Sequence, residues 1–203
     1  MTSHNRGVII GVTGSLGTGK TTVAQWMARR GAQVIDADQL AHALVCPGKP
    51  VWRRLRRRFG DRILNADRTI NKPALAGLGF ASRRAWRDLC AMIHPAVIVA
   101  TKIGIRRIRR RHPGTTIVLD VPLLVESGMT SLVDWVVVVA TTRRTQLIRL
   151  RRKAQWPLAE IRRRLRWQMP LAVKVRRADV VIDNGGSRRA TAAQLHRFWQ
   201  RLH

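Results

Sequence analysis

The chain has 203 residues, 45% of them hydrophobic, and its formal net charge at pH 7 is +28. This length and apolar content predict one substantial core with room for inserted subdomains, and they argue against two independent domains. The longest apolar run lies near residues 136–139 and is strand-sized, far short of the roughly 18 residues of a membrane span. The two cysteines, Cys46 and Cys90, lack metal-ligand spacing and residues 1–6 are polar, so we expect free thiols and a cytoplasmic protein.

Arginine supplies almost all of the positive charge. The arginines are spread over several predicted helices and do not form one basic tail. The sequence also contains no recognisable motif of a nucleic-acid-binding module. We therefore expect no specific nucleic-acid partner and no membrane partner. The charge does predict non-specific electrostatic binding to nucleic acid at low salt. The composition is compatible with a monomer or a weak homo-oligomer.

The first predicted element is a buried strand at residues 8–12, and apolar residues at helical spacing follow at residues 22–30. The residues between them fit the phosphate-binding pattern G-x-x-x-x-G-K-[ST] at every fixed position. In this pattern backbone N–H groups surround the phosphates, Lys20 neutralises them, and the Thr21 hydroxyl binds Mg²⁺. The motif predicts a nucleoside triphosphate and magnesium, with these candidate binding residues: Gly14, Ser15, Leu16, Gly17, Thr18, Gly19, Lys20, Thr21 and Thr22.

Residues 33–38 are predicted to form a second short strand that ends in Asp36 and Asp38. Residues two apart on a strand share a face, and the carboxyl ends of parallel strands border the ligand crevice. Both carboxylates are therefore expected beside the phosphate loop. The alternative is that they cap a helix at residues 39–44, which accounts for one of them easily.

Residues 46–112 are predicted to be a largely helical insertion, with helices at 51–59, 73–80, 82–93 and 96–111. Ser82 is a plausible helix cap, and His94 with Pro95 is expected to interrupt the pattern between the last two helices. Taken as a single residue, His94 is more typical of local packing or hydrogen bonding than of catalysis.

A third buried strand is predicted within residues 116–124, and this segment ends in an acid and a proline, Asp120 and Pro122, followed by Leu123. Asp120 is equally well explained as a magnesium-associated carboxylate or as a cap of the following turn. The remaining elements alternate further, and strands alternating with helices predict a parallel α/β sandwich. They are a strand at 135–139, basic helices at 142–153 and 158–169 with a break at 155–157, a strand at 178–182, and a helix at 187–202.

Several motifs, in matching order and spacing, resemble those of the dephospho-coenzyme A kinase family along essentially the whole chain. V-I-D-A-D, D-V-P-L-L and V-I-D-N together are far more specific than the phosphate loop alone. The motifs are the loop at 14–22, V-I-D-A-D at 34–38, P-G at 47–48, R-F-G at 58–60, H-P at 94–95, D-V-P-L-L-x-E at 120–126, Q-M-P at 168–170 and A-D-x-V-I-D-N-x-G at 178–186.

The resemblance implies transfer of the ATP γ-phosphate to the ribose 3′-hydroxyl of dephospho-coenzyme A, the final step of coenzyme A synthesis. It implies a three-layer sandwich of the monophosphate-kinase type with a central parallel five-stranded sheet. The whole chain would be a single domain of this family. Its core would comprise residues 7–45, 113–142 and 178–203, with a helical acceptor-binding insertion at 46–112 and a lid at 143–177.

The resemblance also implies roles for individual residues. Asp38 would accept the proton of the attacking hydroxyl, while Asp36 would orient that hydroxyl or a metal-bound water. Arg149 would act from the lid, and Lys174 and Arg177 are further candidates for the lid or its base. Residues expected to contact the acceptor are Asp38, His94, Pro122 and Leu123.

Two positions depart from the family pattern. Ser15 stands where a second glycine is common, which the loop should tolerate if Ser15 keeps a negative φ. Lys153 and Ala154 stand where Arg-Asp is usual, which predicts a weaker phosphate contact from the lid.

Two other functions compete with this interpretation. A kinase for a nucleoside monophosphate or a shikimate-like acceptor would share the loop and the lid but should lack the D-A-D and H-P motifs. A basic nucleic-acid-binding NTPase would bind its polymer at physiological salt. A panel of phosphate acceptors and a salt-dependent binding assay distinguish the three.

Overall fold

The computed structural model describes residues 7–154 and 157–202. The chain divides into two compact units. The first unit contains the chain up to Asp36 and again from Gly104 onward, and the second unit is Ala37–Ile103. The predicted break at Gln155 and Trp156 lies outside the described residues.

A parallel sheet of five strands forms the centre of the first unit within the described part of the chain. The strand order is β2-β3-β1-β4-β5, and every neighbouring pair is parallel. The predicted five-stranded parallel α/β sandwich is therefore confirmed. The strands are β1 Ile9–Thr13, β2 Gln33–Asp36, β3 Ile117–Asp120, β4 Trp135–Ala140 and β5 Val180–Asp183.

The α-helices of the described residues agree with most of the predicted helical segments. A short helix at residues 171–175 is present where none is predicted. In chain order they are α1 Lys20–Ala28, α2 Ala37–Leu44, α3 Pro50–Phe59, α4 Lys72–Gly79, α5 Arg83–Arg111, α6 Arg143–Ala154, α7 Leu158–Arg166, α8 Leu171–Val175 and α9 Arg188–Gln200.

The core of the first unit is apolar on the strands and on the helices that pack against them. The strands read as short β-branched runs because a central parallel strand is covered on both faces. Met27 of α1 and Phe198 of α9 pack with strand residues such as Val137 in one buried cluster. This packing fixes the end of β1 and the start of α1, which is where the phosphate loop lies.

The second unit has its own apolar cluster, built mainly by α3 and by the first half of α5. Leu55 is fully buried and packs with Trp52, Phe59 and Leu89. The Trp52 indole N–H donates a hydrogen bond of 2.9 Å to the Arg68 carbonyl, so the polar end of this buried ring is satisfied. The arginines of α3 lie on the remaining face of the helix, which explains how so basic a segment is helical.

The predicted interruption at His94 and Pro95 is wrong, because α5 is continuous with Pro95 inside it. A helix tolerates an interior proline when packing on both sides compensates for the lost hydrogen bond. Leu89 before Pro95 and Val97 after it are both buried. The predicted cap is confirmed, since the Ser82 hydroxyl accepts a hydrogen bond from the Ala85 N–H at 3.1 Å.

One helix in the described part of the chain, α5, is long and apolar enough to cross a membrane by length and composition. Its most apolar window of 18 residues has a mean hydropathy of 1.5, and 22% of that window is buried. This window is an average over 18 residues that include scattered polar side chains, so it is not a continuous apolar run like the one near residues 136–139. A single helix of this kind is weak evidence, since core helices of soluble proteins meet the same criteria.

Candidate active site

The loop between β1 and α1 has the geometry of a phosphate cradle. Gly14 has a φ of 149° and Gly19 a φ of 95°, values that favour glycine. A Cβ atom on Gly14 would overlap the Val139 carbonyl oxygen, so close backbone packing also excludes a side chain there. Ser15 keeps a negative φ, as the expected tolerance of serine requires.

Side chains within the loop support its curvature. The Lys20 ammonium donates a hydrogen bond of 3.2 Å to the Ser15 carbonyl, and the buried Thr18 hydroxyl donates one of 2.9 Å to the same oxygen. Lys20 is thereby held over the loop. The exposed Thr21 lies in the first turn of α1, where the positive end of the helix dipole favours phosphate.

Polar side chains from distant parts of the sequence hold the loop backbone. The Gln146 amide donates to the Leu16 carbonyl at 2.6 Å, and the Gln168 amide oxygen accepts from the Leu16 N–H at 2.9 Å. The Asn184 amide donates to the Thr18 carbonyl at 2.8 Å. Sequence reasoning assigned no role to these three residues, although Gln168 and Asn184 lie within motifs quoted for the family resemblance.

Arg149 of α6 lies at the same loop. Its guanidinium donates to the Asn184 carbonyl at 2.8 Å and to the Thr18 carbonyl at 3.4 Å. Arg149 is half-buried, so one cation of the predicted lid is positioned beside the phosphate loop in the first unit.

Two carboxylates end adjacent strands in the first unit. Asp36 closes β2 and lies in register with Asp120, which closes β3 and is also paired with Val12 of β1. Asp120 is 6% exposed and Asp36 is half-buried. The carboxyl edge of the sheet therefore carries both acids next to the strand that leads into the phosphate loop, as expected for a ligand crevice.

Asp38 does not lie on β2, and the prediction that the strand extends to this residue is wrong. Helix α2 begins at Ala37, so Asp38 is in the first helical turn and is exposed. An acid in the first turn is favoured by the helix dipole. Asp38 belongs to the second unit, as does His94, which is half-buried within α5.

A buried ion pair lies behind the carboxyl end of β3. Lys174 of α8 is fully buried, and its ammonium contacts a Glu126 carboxylate oxygen at 2.9 Å and the Pro122 carbonyl at 2.7 Å. The Pro122 carbonyl also accepts from the Thr13 hydroxyl at 3.2 Å. Burial lowers the pKa of Lys174, and the Glu126 charge and hydrogen bond counter part of that shift.

This ion pair connects the segment that follows α7 to the loop region. The same Glu126 oxygen accepts from the Met169 N–H at 3.0 Å, next to Gln168. Pro122 is held through its carbonyl, and Leu123 follows it half-buried in the first unit. Lys174 and Arg177, suggested from sequence as lid or lid-base cations, thus differ, since Lys174 is enclosed and Arg177 is exposed.

The residues present fit magnesium held largely by substrate phosphates. The described residues contain no group of three or more His, Cys, Asp or Glu side chains able to hold a metal ion. Mg²⁺ usually keeps waters and takes one or two protein oxygens plus phosphate oxygens. The Thr21 hydroxyl and the carboxylates at the sheet edge are oxygen donors of the kind that this ion prefers.

A glycine-rich loop between the central strand of a parallel sheet and a helix, with a lysine at the helix start, defines a P-loop NTPase. A family model described as dephospho-CoA kinase matches residues 8–189. A dephospho-CoA kinase from Geobacillus kaustophilus is 42% identical over 190 residues, covering 92% of this chain and 92% of the relative.

Solved structures agree with the sequence relatives. A crystal structure of a Thermus thermophilus protein superposes with a TM-score of 0.79 at 28% identity, covering 98% of this chain and 99% of the other. A dephospho-CoA kinase from Campylobacter jejuni has a TM-score of 0.67 at 22% identity and shares the fold over 96% of each chain. The chain belongs to the dephospho-CoA kinase family, as the resemblance implied.

The activity follows from this membership. The reaction is the ATP-dependent phosphorylation of dephospho-CoA, the final step of coenzyme A biosynthesis. ATP and dephospho-CoA are therefore its small-molecule substrates. The competing kinase for a different acceptor is set aside by the family match over residues 8–189.

Proposed function

We propose that the first unit binds the triphosphate of ATP in the loop at residues 14–22. The observation that carries this proposal is the loop itself, with Gly14 and Gly19 at positive φ and Lys20 held over the Ser15 carbonyl. Backbone N–H groups and Lys20 neutralise the phosphates, and Arg149 supplies a second cation. Thr22, exposed in α1, extends the set of donors at the helix start.

We further propose that magnesium accompanies ATP. The Thr21 hydroxyl would bind the ion directly, and Asp120 or Asp36 would hold its water ligands from the edge of the sheet. When bound, the ion supplies charge neutralisation of the phosphate oxygens.

Asp38 accepts the proton in the proposed reaction. The ribose 3′-hydroxyl oxygen forms a bond to the γ-phosphorus, the bond between that phosphorus and the ADP oxygen breaks, and the hydroxyl proton passes to the Asp38 carboxylate. The position of Asp38 in the first turn of α2 supports this role, because the residue is exposed there and is not enclosed in the core of the second unit.

The acceptor and lid assignments rest on the same scheme. Residues 46–112 would bind dephospho-CoA, with His94, Pro122 and Leu123 as contacts. Residues 143–177 would form a lid that keeps water from the phosphates, and the exposed cations of α6 and α7 suit that task. The usual Arg-Asp pair is replaced by Lys153 and Ala154 in this segment, so a weaker lid contact stays a prediction.

We place the enzyme in the cytoplasm, as a monomer or weak homo-oligomer.

Two substitutions test the donor and acceptor roles separately. Lys20→Ala should abolish turnover and raise the dissociation constant of ATP. Asp38→Asn should lower kcat by about 100-fold or more, with ATP binding unchanged, because general-base assistance is worth roughly that factor. The matched control is Asp88→Asn, which removes a partly exposed acid in the same unit that pairs with Arg58.

Each outcome has a distinct meaning. Full turnover of Lys20→Ala would contradict the donor site. If Asp38→Asn and Asp88→Asn lost activity equally, the effect would come from net charge and Asp38 would not be the base.

A further inference from the structure

The backbone N–H and the backbone C=O of Leu16, at the centre of the phosphate loop, each form a hydrogen bond with a glutamine side chain. Gln146 on α6 donates to the Leu16 carbonyl at 2.6 Å, across 130 residues of sequence. Gln168, which follows α7, accepts from the Leu16 N–H at 2.9 Å, across 152 residues. Gln146 is 5% exposed, so its hydrogen bond is shielded from water.

The direction of each hydrogen bond is fixed by the chemistry of its partner. A carbonyl only accepts, so Gln146 must present its N–H₂ group to Leu16, and its amide oxygen accepts from Arg143 at 3.0 Å. A backbone N–H only donates, so Gln168 must present its oxygen. One glutamine is thus a donor and the other an acceptor at the same residue.

The position of Gln168 is itself held by the buried ion pair. The next residue, Met169, donates its N–H to Glu126 at 3.0 Å, and Glu126 pairs with the enclosed Lys174. This support restricts the chain at Gln168, so its side chain reaches Leu16 from an anchored backbone.

The loop needs such support because glycines at positive φ surround Leu16. Gly14, Gly17 and Gly19 give the backbone more freedom than other residues would, and ordering that backbone costs conformational entropy. Two hydrogen bonds to the intervening backbone reduce the freedom before nucleotide binds. A smaller entropy cost then opposes nucleotide binding.

We propose that Gln146 and Gln168 are positioning residues that preorganise the phosphate loop for ATP through the backbone N–H and C=O of Leu16. Neither contacts the substrate in this proposal, which rests on the loop being the ATP site. Their effect falls on the KM for ATP and on the affinity for ADP. The KM for dephospho-CoA and kcat at saturating ATP stay close to the unsubstituted values.

Methionine substitutions remove each hydrogen bond at similar side-chain volume. Gln146→Met and Gln168→Met should each raise the KM for ATP and the ADP dissociation constant by about 10-fold, the effect of leaving one partly buried backbone group unpaired. Gln200→Met, at the exposed end of α9, is the control and should leave both constants unchanged.

Glutamate substitutions distinguish hydrogen bonding from charge. Gln168→Glu keeps an acceptor for the Leu16 N–H, whereas Gln146→Glu replaces a donor by a carboxylate facing the Leu16 carbonyl. Both add one negative charge beside the same residue. We expect the KM for ATP of Gln146→Glu to exceed that of Gln168→Glu by about fivefold or more.

Several results would overturn the proposal. Equal KM increases in the two glutamate variants would assign the effect to charge alone. A parallel rise in the KM for dephospho-CoA, or a fall in melting temperature with unchanged ADP affinity, would show a merely structural role. A normal ATP affinity in Lys20→Ala would instead refute the donor site, so failure of the proposed function is recognisable separately.

Discussion

Both units of the chain have a buried apolar cluster, but they differ in the polar contacts that they add to it. In the first unit, polar side chains join residues that are far apart in sequence at the phosphate loop, such as Asn184 with Thr18, 166 residues away. In the second unit, the polar contacts join residues that are closer in sequence, such as Arg56 with Asp61, 5 residues apart, and Arg54 with the Met92 carbonyl, 38 residues apart.

The difference shows where geometric precision is needed. Hydrogen bonds fix direction as well as distance, so they suit a loop that must point several N–H groups at one triphosphate. Apolar packing is less directional and tolerates changes that keep volume and pattern. The comparison predicts that polar substitutions in the first unit alter ATP constants, while core substitutions in the second unit alter the constants of the acceptor.

The largest expected effect is in the buried ion pair of the first unit. Lys174→Met should lower the free energy of unfolding by about 4 kcal/mol, because it leaves the Glu126 carboxylate largely buried without its cation. One Glu126 oxygen already lacks a hydrogen-bond partner in the described structure, which sharpens this dependence. Chemical denaturation measures the loss, and the KM for ATP should rise with it.

The double variant Lys174→Met with Glu126→Gln is the matched control for stranded charge. Its stability should recover in part, since the neutral amide is cheaper to bury. A single variant as stable as the original chain would show that the pair is dispensable and would remove one basis of the comparison.

The next largest effect is expected in the core of the second unit. Leu55→Ala should cost about 3 kcal/mol, because Leu55 is fully buried and its removal leaves a cavity. If the second unit binds the acceptor, the KM for dephospho-CoA should rise more than the KM for ATP in steady-state assays.

Val99→Ala is the control for this substitution, since Val99 is in the same unit and is 57% exposed. Its effect on stability should stay within about 0.5 kcal/mol. An equal rise of both KM values in Leu55→Ala would contradict the separation of the two units by function.

The same contrast explains what could be predicted from sequence. The strands, most helices and the phosphate loop follow from local patterns, because β-branched runs, helical spacing and fixed glycines are visible within about ten residues. The Ser82 cap is an example, since it depends on a residue three positions away. For this reason, the elements that form the cores of both units could be predicted from the sequence.

The errors and omissions concern contacts that a local pattern does not contain. Asp38 alternates correctly for a strand, yet a helix starts at Ala37 and overrides that alternation. Pro95 has the local signature of a helix end, but the buried residues on both sides continue α5. Gln146 gave no signal at all, because its partner Leu16 is 130 residues away.

The smallest expected effect on stability comes from two acidic side chains, one in each unit. One is paired with charged arginines, and the other accepts hydrogen bonds from a neutral threonine. Glu160 of α7 accepts hydrogen bonds from Arg163 and Arg164 in a strongly basic helix. Burial opposes ionisation of Glu160, but the hydrogen bonds and charges of Arg164 and Arg163 outweigh it and lower its pKa. In the second unit, hydrogen bonds from the Thr69 hydroxyl and N–H lower the pKa of Asp67.

The pH dependence follows from these directions. A lowered folded-state pKa gives stability that is present above the unfolded value, about 4.3 for glutamate, and is lost as the pH falls through the folded value. Glu160→Gln should therefore cost about 0.5 kcal/mol at pH 7, and the difference should shrink as the pH falls below the unfolded value of glutamate. Added salt should also reduce this cost, because salt screens the pairing with arginine.

The stability cost of Asp67→Asn should also shrink as the pH falls, but it should change much less with salt, since the principal partner of Asp67 is a neutral hydroxyl. Melting curves of both variants and of the unsubstituted chain, at two pH values and two salt concentrations, measure the pH response and the salt response of each variant. An equal salt response in both variants would contradict the distinction.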